Sequence, residues 1–226
     1  MNRPTTIVFD LDGTLAHTSP DIAAALNAAL APLGAQVTLA ETEQMVGGGV
    51  RALLENALAL KSLQLPAAEV DAAYTRLLAG YRAAPALRSS LRDWIADVMI
   101  EAHGKGARIA VCSNKTEDLV LEILDALAAA RWVHAAVGHL PERLKKPDPE
   151  LLLLAIREAG GDVSRAIMIG DSAADVGAAR AVAIPVVLVT GGYGSRDIRT
   201  LGADRIVANG QELRAAIVEL TSARAA

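Results

Sequence analysis

Short apolar runs rich in Ile and Val recur along the chain at Thr5–Phe9, Ala107–Cys112, Val133–Val137, Ala166–Ile169, Ile184–Val189 and Arg205–Val207. Among them, apolar positions return roughly every 3.6 residues over Glu117–Ala128, Pro149–Ala159, Ala173–Val182 and Gln211–Ser222, which predicts helices. Continuous rather than alternating apolar runs suit strands covered on both faces, and strand–helix–strand succession builds right-handed crossovers. The pattern therefore predicts an α/β fold with a Rossmann-like parallel sheet. One stretch breaks the rhythm. From about Ala16 to Arg88 the periodicity is helical throughout (Asp21–Leu33, Leu39–Val46, Val50–Leu60, Ala67–Ala83), with no convincing strand. The expected organisation is an α/β core formed by residues 1–15 and 89–226, with a compact helical cap of residues 16–88 inserted after strand one. Hinges are expected near Ala16–Ser19 and Pro85–Ser90.

Composition narrows the picture. The chain has 226 residues, 52% hydrophobic and 21% charged, enough to bury a core without disulfide or metal staples. Aromatic residues make up only 3%, so that core should be aliphatic. A single cysteine, Cys112, excludes an internal disulfide and reads as a small buried hydrophobe. A net charge of -4 without a long Lys/Arg run gives no footprint for nucleic acid or for an anionic membrane surface. No apolar run approaches the roughly 18 residues needed to cross a bilayer. The first residues lack the pattern of a signal peptide, so a cytoplasmic protein is expected, a monomer or homodimer whose partner is a small molecule.

In open α/β sheets ligands sit beyond the carboxyl ends of the strands, so the residues there carry the candidate chemistry. Strand one runs into Asp10-Leu11-Asp12-Gly13-Thr14, two carboxylates followed by a glycine that permits a sharp turn. Strand two ends in Cys112-Ser113-Asn114-Lys115-Thr116, which sets a hydroxyl and exposed amides before a helix, a ready anion site. Lys145-Lys146-Pro147-Asp148-Pro149 is a proline-stiffened loop able to aim an ammonium at the same place. Strand four ends in Gly170-Asp171-Ser172-Ala173-Ala174-Asp175, which adds carboxylates beside those of strand one. Hard oxygen ligands of this kind suit Mg²⁺. Each segment also has an ordinary reading, since Asp171 or Ser172 fits a helix N-cap and a lysine before proline fits an exposed turn. His103, His134 and His139 show no metal-like pairing and read as structural, and His17 reads as a hinge-side surface residue.

DLDGT, the Ser113 strand end, KPDP and GDSAAD, in that order, resemble the four motifs of the haloacid dehalogenase superfamily of phosphohydrolases. The likeness extends over nearly the whole chain, the helical insert included. It implies a phosphatase in which Asp10 is the nucleophile, Asp12 the general acid/base, and Ser113, Asn114 and Lys146 hold the phosphoryl group. It further implies Mg²⁺ on Asp10, the Asp12 carbonyl and Asp171, with Asp175 acting through water or by orienting its neighbours. A sugar phosphomutase of the same superfamily would carry the same motifs. A receiver-like signalling module is disfavoured by Asp12 and by the helical insert. Within the superfamily, Met45–Leu54, Val189–Gly194 and Gly202-Ala203-Asp204 resemble phosphoglycolate phosphatases. On that likeness Gly48, Gly49 and Arg51 are expected to hold the carboxylate of a small phosphorylated metabolite, although the same residues fit a tight interhelical turn and a solvated arginine.

Overall fold

The computed structural model describes residues 4–222. Its main sheet has six strands, β1 (Thr6–Phe9), β4 (Arg108–Thr116), β5 (Ala135–His139), β6 (Ala166–Gly170), β7 (Val186–Val189) and β8 (Arg205–Val207). They run parallel in the order β5-β4-β1-β6-β7-β8, a Rossmann-type arrangement. The alternation of β1 shows how the two faces are filled: Ile7 and Phe9 join one buried cluster and Val8 the other. The first cluster takes in α5 (Asp93–Gly104), α6 (Glu117–Ala126) and α9 (Gly210–Ser222). The second takes in α7 (Glu150–Glu158) and α8 (Ala173–Ala181). Both clusters are overwhelmingly aliphatic, as the composition suggests.

The helical stretch comprises α1 (Ser19–Leu30), α2 (Leu39–Met45), α3 (Val50–Leu60) and α4 (Ala67–Ala83). Its first helix stops three residues short of the expected Leu33, and Ala31–Leu33 tightens into a 3₁₀ turn. Pro32 has no N–H with which to continue an α-helix. The insert leaves and rejoins the core through two residues on each side: β2 (Ala16–His17) pairs antiparallel with β3 (Ser90–Leu91). Beside this ribbon the buried Asp21 carboxylate accepts from the amides of Arg88 and Ser89 at 2.8 and 2.7 Å, and from the Ser89 hydroxyl at 2.7 Å. The segments expected to act as hinges are thus bonded to each other. Among the described residues no helix is long and apolar enough to cross a membrane.

Candidate active site

Register brings the strand ends together. Phe9 stands level with Val111 on one side and Ile169 on the other, so the residues after it, Cys112-Ser113 and Gly170-Asp171 converge. The Asp10 amide still donates to the Ile169 carbonyl at 2.9 Å. The chain then reverses over Asp10–Ala16, where the Gly13 amide donates to Ala16 O and the Ala16 amide to Leu11 O. Gly13 is required at this turn. Its φ is +79°, and a Cβ there would lie 2.2 Å from Asp171 Oδ2 and 2.9 Å from the Tyr193 ring. The reversal separates the two aspartates of the motif into different surroundings.

Asp10 is buried beside Lys146, whose Nζ lies 2.9 Å from Asp10 Oδ1. Burial raises the Asp10 pKa most, Lys146 opposes it, and repulsion from Asp175 and Asp12 helps carry it up to about 7. Lys146 also donates to Asp175 Oδ1 and to the Cys112 carbonyl, each at 2.7 Å, so all three ammonium protons are engaged. Burial alone would lower its pKa, but Asp10 and Asp175 hold the ammonium well above the ordinary lysine range. Asp175, at the third position of α8, accepts through its other oxygen from the amides of Asp171 and Ser172 and from the Ser172 hydroxyl. Asp171 accepts the Tyr193 amide at 2.6 Å, and burial, with Asp10 and Asp175 nearby, raises its pKa well above the usual carboxylate range. Carboxylate oxygens of Asp10, Asp171 and Asp175 lie within 4.8 Å of one another.

Asp12 faces the cavity from the other side of the turn, its side chain 12% exposed. Thr18 donates to its Oδ1 at 2.5 Å, and Lys115 Nζ lies 2.7 Å from the same oxygen. Ser113 is buried and lines the same cavity; its Oγ accepts the Lys115 amide at 3.3 Å. Asn114 has a different part from the one expected. Its side-chain NH₂ donates to Gly47 O and Lys146 O, and its Oδ1 accepts the Lys146 amide at 2.8 Å. With both donors engaged, the Asn114 side chain clamps the Lys146 loop and the insert instead of reaching toward an anion.

The cap residues divide. Gly47 and Gly49 line the cavity, and a Cβ on Gly49 (φ +90°) would lie 2.8 Å from Lys145 Nζ and 3.1 Å from Asn114 O. Gly48 O accepts from Lys145 at 3.3 Å. These glycines let the insert's backbone rest on the core. Arg51 corrects the expectation for it: it pairs with Glu55 at 2.8 Å and Asp71 at 2.7 Å, lies over the Tyr74 ring, and lines a separate groove between α3 and α4. The reason is helical phase. Val50, Leu53, Leu54, Ala57 and Leu58 form the buried face of α3, and Arg51 stands at the edge of that face, about 20° beyond Leu58, on the side where Asp71 and Tyr74 of α4 meet it.

Four neighbours of the site have no role in the motif reading: Lys115, Tyr81, Tyr193 and Arg92. Tyr193 reaches the insert, its hydroxyl oxygen accepting the Ser19 amide at 3.0 Å. Arg92 donates to the carbonyls of Gly13, Thr190 and Gly191, tying the Asp10–Ala16 turn to the loop that carries Tyr193. A signal for Lys115 does exist in the sequence: a lysine three residues past the apolar run Ile109–Cys112 is a candidate for a buried charge.

The haloacid dehalogenase-like hydrolase family model matches residues 4–183. A phosphoglycolate phosphatase of Caulobacter vibrioides is 38% identical, covering 96% of this chain and 92% of that protein. One from Agrobacterium fabrum is 37% identical over 94% of this chain and 91% of its own length. In three dimensions the chain is similar to the crystal structure of CbbY from Rhodobacter sphaeroides in complex with phosphate. The TM-score there is 0.75, with 27% identity and 96% and 100% of the two chains covered. Matched by the family model over most of its length and by relatives over more than nine tenths of it, the chain belongs to the haloacid dehalogenase-like hydrolases, among their phosphatases.

Proposed function

We propose that the chain is a Mg²⁺-dependent phosphomonoesterase that hydrolyses 2-phosphoglycolate to glycolate and phosphate through an aspartyl-phosphate on Asp10. The observation that carries this reading is the division of two carboxylates, two residues apart, between unlike environments. Asp10 is fixed by Lys146 inside a cluster of acids, whereas Asp12 is held at the cavity by Thr18 and Lys115. Such a pair suits a nucleophile and a general acid/base. The donor set also suits a divalent cation: it is all oxygen, and its buried like charges repel. Asp175 already accepts from four protein groups, so Asp10 and Asp171 are the carboxylates with lone pairs to give, joined by the Asp12 carbonyl. The ion supplies neutralisation of charge between nucleophile and phosphoryl group.

An Asp10 oxygen attacks phosphorus as the bond from phosphorus to the ester oxygen breaks, and Asp12 gives its proton to the departing oxygen. Asp12 then takes a proton from water, whose oxygen attacks phosphorus and releases Asp10. Lys146 keeps Asp10 aimed and offsets phosphoryl charge, while the Ser113 hydroxyl donates to a phosphoryl oxygen. Asp175 fixes Lys146 and the Asp171 loop. The names of the relatives support 2-phosphoglycolate as the substrate. The test is phosphate release by the purified chain from 2-phosphoglycolate and a panel of other small phosphoesters. Turnover is expected with Mg²⁺, none in EDTA, and a loss of about 10³-fold or more in Asp10→Asn. Undiminished turnover in chelator or in Asp10→Asn overturns the mechanism.

A further inference from the structure

With Arg51 turned away, the far end of the cavity needs another account. The side chains that the insert contributes there, Ile22, Val46, Val50, Leu53 and Leu77, are apolar; Tyr81 of α4 is the exception. From the sheet side the same end receives Lys115, only 4% exposed, whose ammonium lies 4.6 Å from the Tyr81 ring centroid. An ammonium has three protons. One of them reaches Asp12 Oδ1 at 2.7 Å and another the Tyr81 hydroxyl oxygen at 2.5 Å; no third acceptor stands among the described residues. The Tyr81 oxygen accepts from Lys115, and its own proton likewise has no described acceptor. Burial, with Asp12 and Asp21 nearby, keeps the Tyr81 pKa well above its ordinary value, so the hydroxyl stays a donor. Two adjacent donors with protons to spare, set in an apolar wall and carrying one positive charge, match the two oxygens of a planar carboxylate.

We propose that Lys115 and Tyr81 form a carboxylate-recognition site that selects phosphoesters whose carboxylate stands one methylene from the ester oxygen. The proposal rests on the function proposed above and names the groups that set its specificity. Distance fixes the spacing. Lys115 bonds the same Asp12 carboxylate that faces the ester oxygen, so its ammonium is separated from that oxygen by at most two hydrogen bonds and the width of one carboxylate. With bonds of about 1.5 Å, a carboxylate one methylene along has its oxygens roughly 2.5–3.5 Å from the ester oxygen, within reach of Lys115. A longer spacer pushes the carboxylate into the apolar end, where it loses water without gaining a partner. The other nearby lysine, Lys145, donates to Gly48 O and lines a neighbouring, more open pocket.

The experiment compares kcat/KM for 2-phosphoglycolate and for ethyl phosphate, which carries a methyl group in place of the carboxylate, in the full chain with Mg²⁺. Wild type should prefer 2-phosphoglycolate. Lys115→Met should lower that preference by about 10-fold or more, mainly through KM, and Tyr81→Phe should lower it by less. The inhibition constant for glycolate should rise in both variants, while that for inorganic phosphate moves far less. Equal losses on the two substrates would assign Lys115 to Asp12 alone and overturn the proposal. Wild-type turnover of both esters without preference overturns it and leaves the phosphatase reading standing; absence of turnover on every phosphoester removes that reading itself. Circular dichroism checks folding, and if Lys115→Met does not fold, the preference in Tyr81→Phe decides.

Discussion

On the sheet side of the cavity, position is enforced by pairing: Lys146 meets three acceptors, and Asp175 meets four donors. On the insert side, apart from the bond between Tyr81 and Lys115, it is enforced by shape, because Ile22, Val50, Leu53 and Leu77 present aliphatic surface with no directional bond. A buried ion network fails when one member is removed, whereas an aliphatic wall tolerates exchange at constant volume. The sheet end is thus built to hold one geometry, and the insert end to be altered with little harm to it. That contrast also explains why motifs announce the first end and leave the second unread.

The contrast makes graded predictions. Asp175→Ala strips Lys146 of an acceptor and leaves three further donors without one, so unfolding free energy should fall by about 3–5 kcal/mol in urea titration. Phosphoester turnover should fall with it by about 100-fold or more. Leu53→Met, on the insert wall, should cost less than about 1.5 kcal/mol and alter KM more than kcat. If Leu53→Met damaged kcat as deeply as Asp175→Ala, the two ends would not be separable. Far from both ends, Glu101 is held by Lys105 and Arg214, whose hydrogen bonds lower its pKa from 4.5 to about 2. A lowered folded-state pKa stabilises above the ordinary value and is lost as pH falls toward the folded one. The small stability difference between wild type and Glu101→Gln should therefore be complete above pH about 4.5, shrink toward pH 2, and weaken in high salt.

Much of the fold is legible in the apolar runs. All six strands of the main sheet and the four expected core helices stand within a few residues of where periodicity puts them, since burial on both faces leaves an unbroken signal. β4 runs on to Thr116, past the expected end at Cys112, because Ser113, Asn114 and Lys115 continue the extended chain although their polarity reads as loop. α5 is missing from the pattern reading, yet Ile95, Val98 and Met99 are buried at helical spacing; the signal is short and follows directly on the insert. The β2–β3 ribbon has two residues per strand, too few for alternation to register. At the site, Asp10, Asp12, Ser113, Lys146, Asp171 and Asp175 do meet around one cavity or its floor. The contacts of the Asn114 and Arg51 side chains are not legible in the sequence, because side-chain direction depends on a helix phase and a bulged strand that only the packed chain fixes.

The place of β1 in the sheet bears on how the protein is made. This strand carries Asp10 and lies between β4 and β6, both of which are synthesised long after it. During synthesis it leaves the ribosome with neither neighbour available, and the whole helical insert emerges before the first of them. The insert's helices contact one another in sequence order, α1 with α2, α2 with α3 and α3 with α4, and α4 closes most extensively on α1, so they can assemble among themselves while β1 waits. Only when the GDSAAD segment at the end of β6 has emerged can Asp10, Lys146 and Asp171 come into register, which ties the birth of the candidate site to the later part of translation.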